Sequence, residues 1–141
     1  LFVGEKGELG FQLENIIKKQ GLAKNIMFLG KRSDIKEIMN ASDIFLMTSL
    51  VEPFGLVLVE AQFSGLKIVS SDIITKEIIE FDELFELQDF ENIDKWVNTI
   101  LCARWNVEAK KEFITKNHDK LKKSKFTISA SYNKLLKHYS K

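Results

Sequence analysis

Residues 43–70 read DIFLMTSLVEPFGLVLVEAQFSGLKIVS, and this stretch decides the fold. Residues 43–47 contain almost no polar side chain, which is typical of a strand that is covered on both faces. After a loop, the apolar run at 54–64 predicts a helix that ends at Gly65. Residues 67–70 predict the next strand. Two strands joined through a helix indicate a parallel β-α-β unit.

Apolar runs and helical patterns also alternate on both sides of this unit. Three further runs are predicted as strands, at residues 1–4, at 26–29 and, on an edge, at 84–87. The alternation predicts an α/β fold, a doubly wound, Rossmann-like parallel sheet with helices on both faces, which binds ligands at the carboxyl ends of its strands. Because the first residues already read as a strand, we expect the chain to be part of a larger protein.

The remainder of the chain, from about Asn92, is predicted to be helical. Lysines are concentrated in residues 110–125. Such a run is usually a solvated helix face, and docking on a membrane surface is the less favoured interpretation.

Composition and charge exclude several classes of protein. The chain has 141 residues and a net charge of +1, from 21 basic and 20 acidic side chains. A near-balance of charge gives no basic surface for nucleic acid, so no nucleic-acid partner is expected. No apolar stretch is long enough to span a bilayer. The one cysteine, Cys102, cannot form an internal disulfide, which favours a reducing cytoplasm.

The predicted helix at 54–64 also carries the candidate chemistry. Because it is apolar nearly all round, we expect it to be buried, and Glu60 with it. A buried carboxylate needs hydrogen-bond donors, and a ribose diol supplies two hydroxyls together. At the helix start, Gly55 permits close approach of a ligand to unpaired amides that suit a diphosphate. Glu52 lies on the preceding loop, within reach of a bound sugar.

A purely structural interpretation is about equally compatible with these residues. Glu60 would then be half-exposed or paired with a lysine, and Glu52 would be an ordinary loop acid. The residues by themselves leave both interpretations open.

The spacing of Glu52 and Glu60 resembles the Glu-x7-Glu motif of retaining, family-4-like glycosyltransferases of the GT-B fold. Other segments are similar to elements of the same family in the same order. They are LFVGE at 1–5, NIMFLG at 25–30, ASDIFL at 41–46, EPFGLVLVEA at 52–61 and GLKIVSSD at 65–72. Lys67 departs from the family pattern, which usually has proline there. Later segments are similar to the branch that builds bacterial capsules and exopolysaccharides.

The resemblance implies a role for each site residue. Glu52 would be the catalytic residue and contact the hydroxyls of the transferred sugar, and Glu60 would bind the ribose of the donor. The remaining donor-binding residues are Arg32 and Ser33, which would border the base, Phe54, Gly55 and Leu56, whose amides would carry the diphosphate, and the adjacent Pro53. The chain would be the C-terminal, donor-binding half of the enzyme, without the first strand of that half and without the N-terminal acceptor domain.

The function implied is retaining transfer of a sugar from a nucleotide-diphosphate sugar, expected to be a UDP-sugar, to a polysaccharide or lipid-linked acceptor. No metal or cofactor is expected, and the enzyme is expected in the cytoplasm, at the inner face of the membrane. Two alternatives stay open. One is a non-catalytic nucleotide-sugar-binding or regulatory module. The other is a Rossmann NAD(P) oxidoreductase. The spacing of Gly4, Gly7 and Gly10 is similar to the glycine motif that binds dinucleotides, but Lys6 occupies the position of its second glycine.

Overall fold

A computed structural model describes residues 1–103 and 106–139, with side chains described as far as Lys134. The chain forms two compact units, Leu1–Ile35 and Lys36–Lys141.

The Leu1–Ile35 unit is built around one helix and one strand-like contact. Helix α1 (Glu8–Lys19) follows a glycine turn and ends before Gly21, which has a φ of 71°. The two runs predicted as strands in this unit are joined by a hydrogen bond from the Gly4 amide to the Gly30 carbonyl over 2.9 Å and by an isolated parallel bridge, Phe2 to Phe28. Their rings stack with centroids 4.9 Å apart. The predicted pairing therefore exists, but it is shorter than a strand.

The second unit contains the parallel sheet that the sequence predicted. Helix α2 (Ile35–Asn40) leads into it, and its strands are β1 (Ile44–Met47), β2 (Lys67–Ser71) and β3 (Phe85–Gln88), in the order β1-β2-β3. Both strand pairs are parallel. Helix α3 (Leu56–Phe63) connects β1 to β2 and ends before Gly65, which has a φ of 65°. The β-α-β unit is thus confirmed.

The C-terminal part of the chain is helical, as predicted. It consists of α4 (Ile93–Cys102), α5 (Val107–Lys116), α6 (His118–Lys123) and α7 (Ile128–Tyr139). Asparagine side chains begin two of these helices, because Asn92 Oδ1 accepts from the amide of Lys95 and Asn106 Oδ1 from that of Ala109. Across the described residues, no helix combines the length and apolar character needed to cross a membrane.

Strand β2 lies at the centre of the core. Ile68, Val69 and Ser70 follow one another and each has 0% exposure, so both faces of the sheet are covered there. Val69 packs with Trp96 of α4, and a second cluster joins Phe81 and Leu84 to Phe113 of α5. A strand covered on both faces is the arrangement that a doubly wound sheet requires.

Most lysines of the lysine-rich region are exposed, as predicted, but Lys110 is half-buried. Lys110 Nζ donates to the carbonyls of Met39, Asn40 and Ser42 over 3.0–3.1 Å, and so completes the C-terminal end of α2. Burial lowers the pKa of the Lys110 ammonium. This lysine therefore connects two helices of the second unit instead of only facing solvent.

Candidate functional site

The loop that follows β1 is closed by a carboxylate. Glu52 Oε1 accepts from the amide of Gly55 over 2.7 Å and from that of Phe54 over 3.4 Å. Gly55 is buried in the left-handed region, with a φ of 73°. A Cβ at this position would lie 3.0 Å from Leu58 Cδ1 and 3.2 Å from Glu52 Cγ. Backbone conformation and space therefore both require glycine here.

Helix α3 begins directly after this glycine, beyond the carboxyl end of β1. We expected the amides of Phe54, Gly55 and Leu56 to be unpaired, and for the first two this was wrong, because Glu52 already accepts from them. Among the described residues, nothing accepts from the amides of Leu56 and Val57. The donors that remain for an anion are thus those of the first helical turn, at the positive end of the helix dipole.

The expectation that Glu60 is buried was also wrong. Glu60 is exposed, whereas Leu58, Val59 and Ala61 beside it are buried. Leu56, one turn earlier on the same side of α3, is 65% exposed. The helix is apolar nearly all round, but its tertiary neighbours leave one strip uncovered, and Glu60 lies on it. Its carboxylate is therefore solvated and accessible to a ligand, and it carries no desolvation cost that a partner must offset.

Pro53 and Phe54 lie on the surface of this loop. Both are exposed, and the ring of Phe54 keeps an edge-on contact with the ring of Phe126, at 6.1 Å between centroids. Five of the predicted residues in the second unit thus surround the start of α3, and Glu60 lies one turn along the same helix.

Arg32 and Ser33 belong to the Leu1–Ile35 unit. Arg32 forms a two-point ion pair with Asp34, from Nε to Oδ1 over 2.8 Å and from Nη2 to Oδ2 over 2.5 Å. These hydrogen bonds raise the pKa of the guanidinium and lower the pKa of the Asp34 carboxyl. Ser33 is exposed. The guanidinium of Arg32 is therefore already paired with a carboxylate of its own unit.

The loop that follows β2 is held against α3 by a residue that sequence reasoning missed. Gln62 is fully buried; its Nε2 donates to the carbonyl of Ile78 over 2.9 Å, and its Oε1 accepts from the amides of Glu80 and Phe81 over 2.9 and 3.3 Å. Ile78 in turn approaches Gly55, since its Cδ1 would lie 3.4 Å from a Cβ placed there. A glutamine inside a helix that is apolar apart from Glu60 was the available signal for this role.

The arrangement offers amide donors for an anion, and its two carboxylates, of Glu52 and Glu60, can accept hydrogen bonds from hydroxyl groups. Among the residues whose side chains the structure describes, no group of three or more His, Cys, Asp or Glu side chains could hold a metal ion.

Comparison with known proteins identifies similar sequences and folds. Residues 1–101, which include every candidate site residue, match the family described as "Glycosyl transferases group 1". The UDP-Gal:alpha-D-GlcNAc-diphosphoundecaprenol alpha-1,3-galactosyltransferase of Escherichia coli is 38% identical over 106 residues, which cover 72% of this chain and 26% of that protein.

Two solved structures share the fold. WaaG, a glycosyltransferase involved in lipopolysaccharide biosynthesis, superimposes with a TM-score of 0.70 at 19% identity, over 86% of this chain and 33% of WaaG. Anabaena HepE in complex with UDP superimposes with a TM-score of 0.57 at 26% identity, over 84% of this chain and 40% of HepE. The predicted α/β class of the GT-B type is confirmed. The chain spans between 26% and 40% of the length of these three proteins.

Proposed function

The chain belongs to the group 1 glycosyltransferases, and from this we propose that it is the C-terminal, donor-binding half of a retaining GT-B enzyme. The donor is a nucleotide-diphosphate sugar, and specifically a UDP-sugar. Two similarities support this choice of nucleotide: HepE has been solved with UDP, and the similar Escherichia coli enzyme is named for UDP-Gal.

The start of helix α3 is the observation that carries the proposal. A carboxylate oxygen of Glu52 already lies 2.7 Å from the amide of Gly55, so this backbone is shaped to meet anionic oxygens. The amides of Leu56 and Val57 point out of the same helix end without an acceptor among the described residues. We assign the diphosphate of the donor to this end, where the helix dipole favours negative charge.

The two glutamates would then act on either side of the diphosphate. Glu60 lies about one turn beyond Leu56, on the exposed strip of α3, and would accept both hydroxyls of the ribose. Glu52 precedes the helix and would contact the hydroxyls of the transferred sugar, for which it must exchange at least part of its bonding to the loop amides. The role of Arg32 and Ser33 towards the base, which the resemblance implies, stays a prediction.

The chemistry in this half would be electrostatic. Negative charge develops on the leaving diphosphate as the glycosidic bond to it breaks, and the amides at the start of α3 would stabilise that charge. We propose that these amides take the place of a divalent cation, so that no metal or other cofactor takes part.

The acceptor would be a growing polysaccharide, such as a capsular one, or a lipid-linked saccharide. The similar Escherichia coli enzyme is named for a diphosphoundecaprenol-linked acceptor. We assign the acceptor site to an N-terminal domain of the same enzyme, which would close over the donor. The enzyme would work in the cytoplasm, at the inner face of the membrane where such acceptors are presented.

Calorimetric titration of the chain with UDP tests the proposal. Glu60→Ala should weaken UDP binding by about 1–3 kcal/mol, the usual loss for hydrogen bonds to a charged group. Glu37→Ala is the matched control, since Glu37 is also an exposed helical glutamate of the second unit, and it should leave the affinity unchanged. An unchanged affinity of Glu60→Ala would contradict the assignment of ribose binding to Glu60. A wild-type chain that binds NAD⁺ in preference to UDP would contradict the proposed function itself.

A further inference from the structure

Three consecutive residues in the turn between α6 and α7 contact both loops of the candidate site. Ser124 is buried, and its hydroxyl donates to the Glu80 carboxylate in the loop that follows β2. Lys125 Nζ donates to the carbonyl of Glu77 in the same loop over 2.6 Å. The ring of Phe126 meets that of Phe54, in the loop that follows β1, at an interplanar angle of 70°. One turn of the chain therefore connects the two loops.

The turn is held in shape by its own contacts. Ser124 Oγ accepts from the amide of Phe126 over 3.2 Å, and the hydroxyl of Thr127 donates to the Ser124 carbonyl over 2.9 Å. Lys125 Nζ lies 5.0 Å from the centroid of the Phe126 ring while it donates to the loop. The position of the Phe126 ring is thus coupled to the loop that follows β2.

Phe54 transmits this position to the start of α3. Phe54 is 41% exposed, so much of its surface has no protein neighbour, and the edge-on contact with Phe126 limits where its ring can lie. Its backbone is followed directly by Gly55, and both amides share the Glu52 carboxylate. A shift of the Phe54 ring would therefore shift the loop that leads directly into Leu56 and Val57, whose amides begin the helix.

We propose that Phe126 is a positioning residue for the donor site, braced by Lys125. The proposal rests on the proposed function, because it assumes that the diphosphate binds at the start of α3. Phe126 itself contacts no part of the donor. It acts through Phe54, and the α6–α7 turn is then a part of the donor site that lies about 70 residues further along the chain.

The test compares two half-buried phenylalanines of the second unit. Phe126→Leu should weaken UDP binding to the chain about three- to tenfold, the loss expected for one aromatic pair. Phe126→Tyr keeps the ring edge and should restore wild-type affinity. Phe85→Leu is the control, because Phe85 packs against the Phe81–Leu84–Phe113 cluster, away from Phe54. It should lower the unfolding midpoint without changing the affinity of the folded chain.

A second pair of variants avoids the core altogether. Lys125→Met removes the brace and should weaken UDP binding about two- to threefold, whereas Lys123→Met, at an exposed lysine of α6, should not. Wild-type affinity in both Phe126→Leu and Lys125→Met would overturn the proposal. An equal loss in Phe85→Leu would also overturn it, by showing general destabilisation. A wild-type chain that does not bind UDP would instead refute the proposed function, and this inference with it.

Discussion

Replacement of Gln62 by leucine should destabilise the second unit strongly, because the side chain satisfies three backbone groups of another segment. The change removes the hydrogen-bond partner of the Ile78 carbonyl and of the Glu80 and Phe81 amides. Ile78 and Phe81 are fully buried, so their groups gain no water in exchange. At about 1–3 kcal/mol for each of these two orphaned buried groups, the expected loss is about 2–6 kcal/mol, a large part of the stability of a typical domain.

Urea unfolding followed by circular dichroism measures this loss. The midpoint should fall by about 1–2 M at an unchanged slope. Gln88→Leu is the matched control, because Gln88 is only 3% exposed but its Oε1 has no hydrogen-bond partner among the described residues. It should cost less than about 1 kcal/mol, since no partner is orphaned. Equal losses in the two variants would refute the reasoning, because burial rather than hydrogen bonding would then decide the cost.

Gln62→Glu adds a dependence on pH with a definite sign. A carboxylate cannot donate to the carbonyls of Leu58 and Ile78, which accept from Gln62 Nε2, so folding should raise the pKa of the new acid. Stability relative to the wild type should then be highest below the unfolded pKa of about 4.3. It should be lost as pH rises through the raised folded pKa. A difference from the wild type that does not vary between pH 4 and pH 7 would contradict this.

Gly55→Ala should lower the free energy of unfolding by about 2–3 kcal/mol, because the new Cβ would meet Leu58 Cδ1 at 3.0 Å and φ is 73°. Gly30→Ala is the control, because φ is 66° there and nothing lies within 4 Å of an added Cβ. It should cost only about 1–2 kcal/mol in the same urea titration. Equal costs in the two variants would show that crowding by Leu58 contributes nothing at Gly55. Glu52→Ala should retain or increase UDP affinity in calorimetry, because the carboxylate no longer competes for the Gly55 amide. A loss of UDP affinity in that variant would show that Glu52 shapes the anion site instead of occupying it.

Much of the secondary structure followed from the sequence. The helix predicted at 54–64 is Leu56–Phe63, and the strand predicted at 67–70 is Lys67–Ser71. These elements depend on local patterns, namely the spacing of apolar residues and the glycines at helix ends. The runs at 1–4 and 26–29 were predicted as strands with the same reasoning, but they form one isolated bridge, Phe2 to Phe28, and no strand. An apolar run indicates extended backbone, whereas the extent of pairing depends on its neighbours.

The structure brings five of the predicted site residues together at the loop that follows β1, but the contacts within this loop were not predicted. The amides of Phe54 and Gly55 were expected to be unpaired, and Glu52 accepts from both. These two hydrogen bonds join residues only two and three positions apart, so the geometry of the loop decided them. An acidic side chain on a loop can bond to the loop's own amides or face solvent, and the sequence does not distinguish the two. The roles of Glu52 and Glu60 towards a donor stay predictions.

The sequence by itself determined the order of the elements, the parallel β-α-β unit and the end of the sheet at which to look for a ligand. These properties follow from residues close together in the chain, whose backbone hydrogen bonds and apolar spacing act locally. The tertiary structure decided which side of α3 is uncovered, and so that Glu60 is solvated. It also decided that Gln62 reaches Phe81, 19 positions away, and that Lys120 Nζ donates to the carbonyl of Glu80, 40 positions away. The physical reason is that burial and hydrogen-bond partners belong to whatever packs nearby in space, and here those neighbours come from distant parts of the chain.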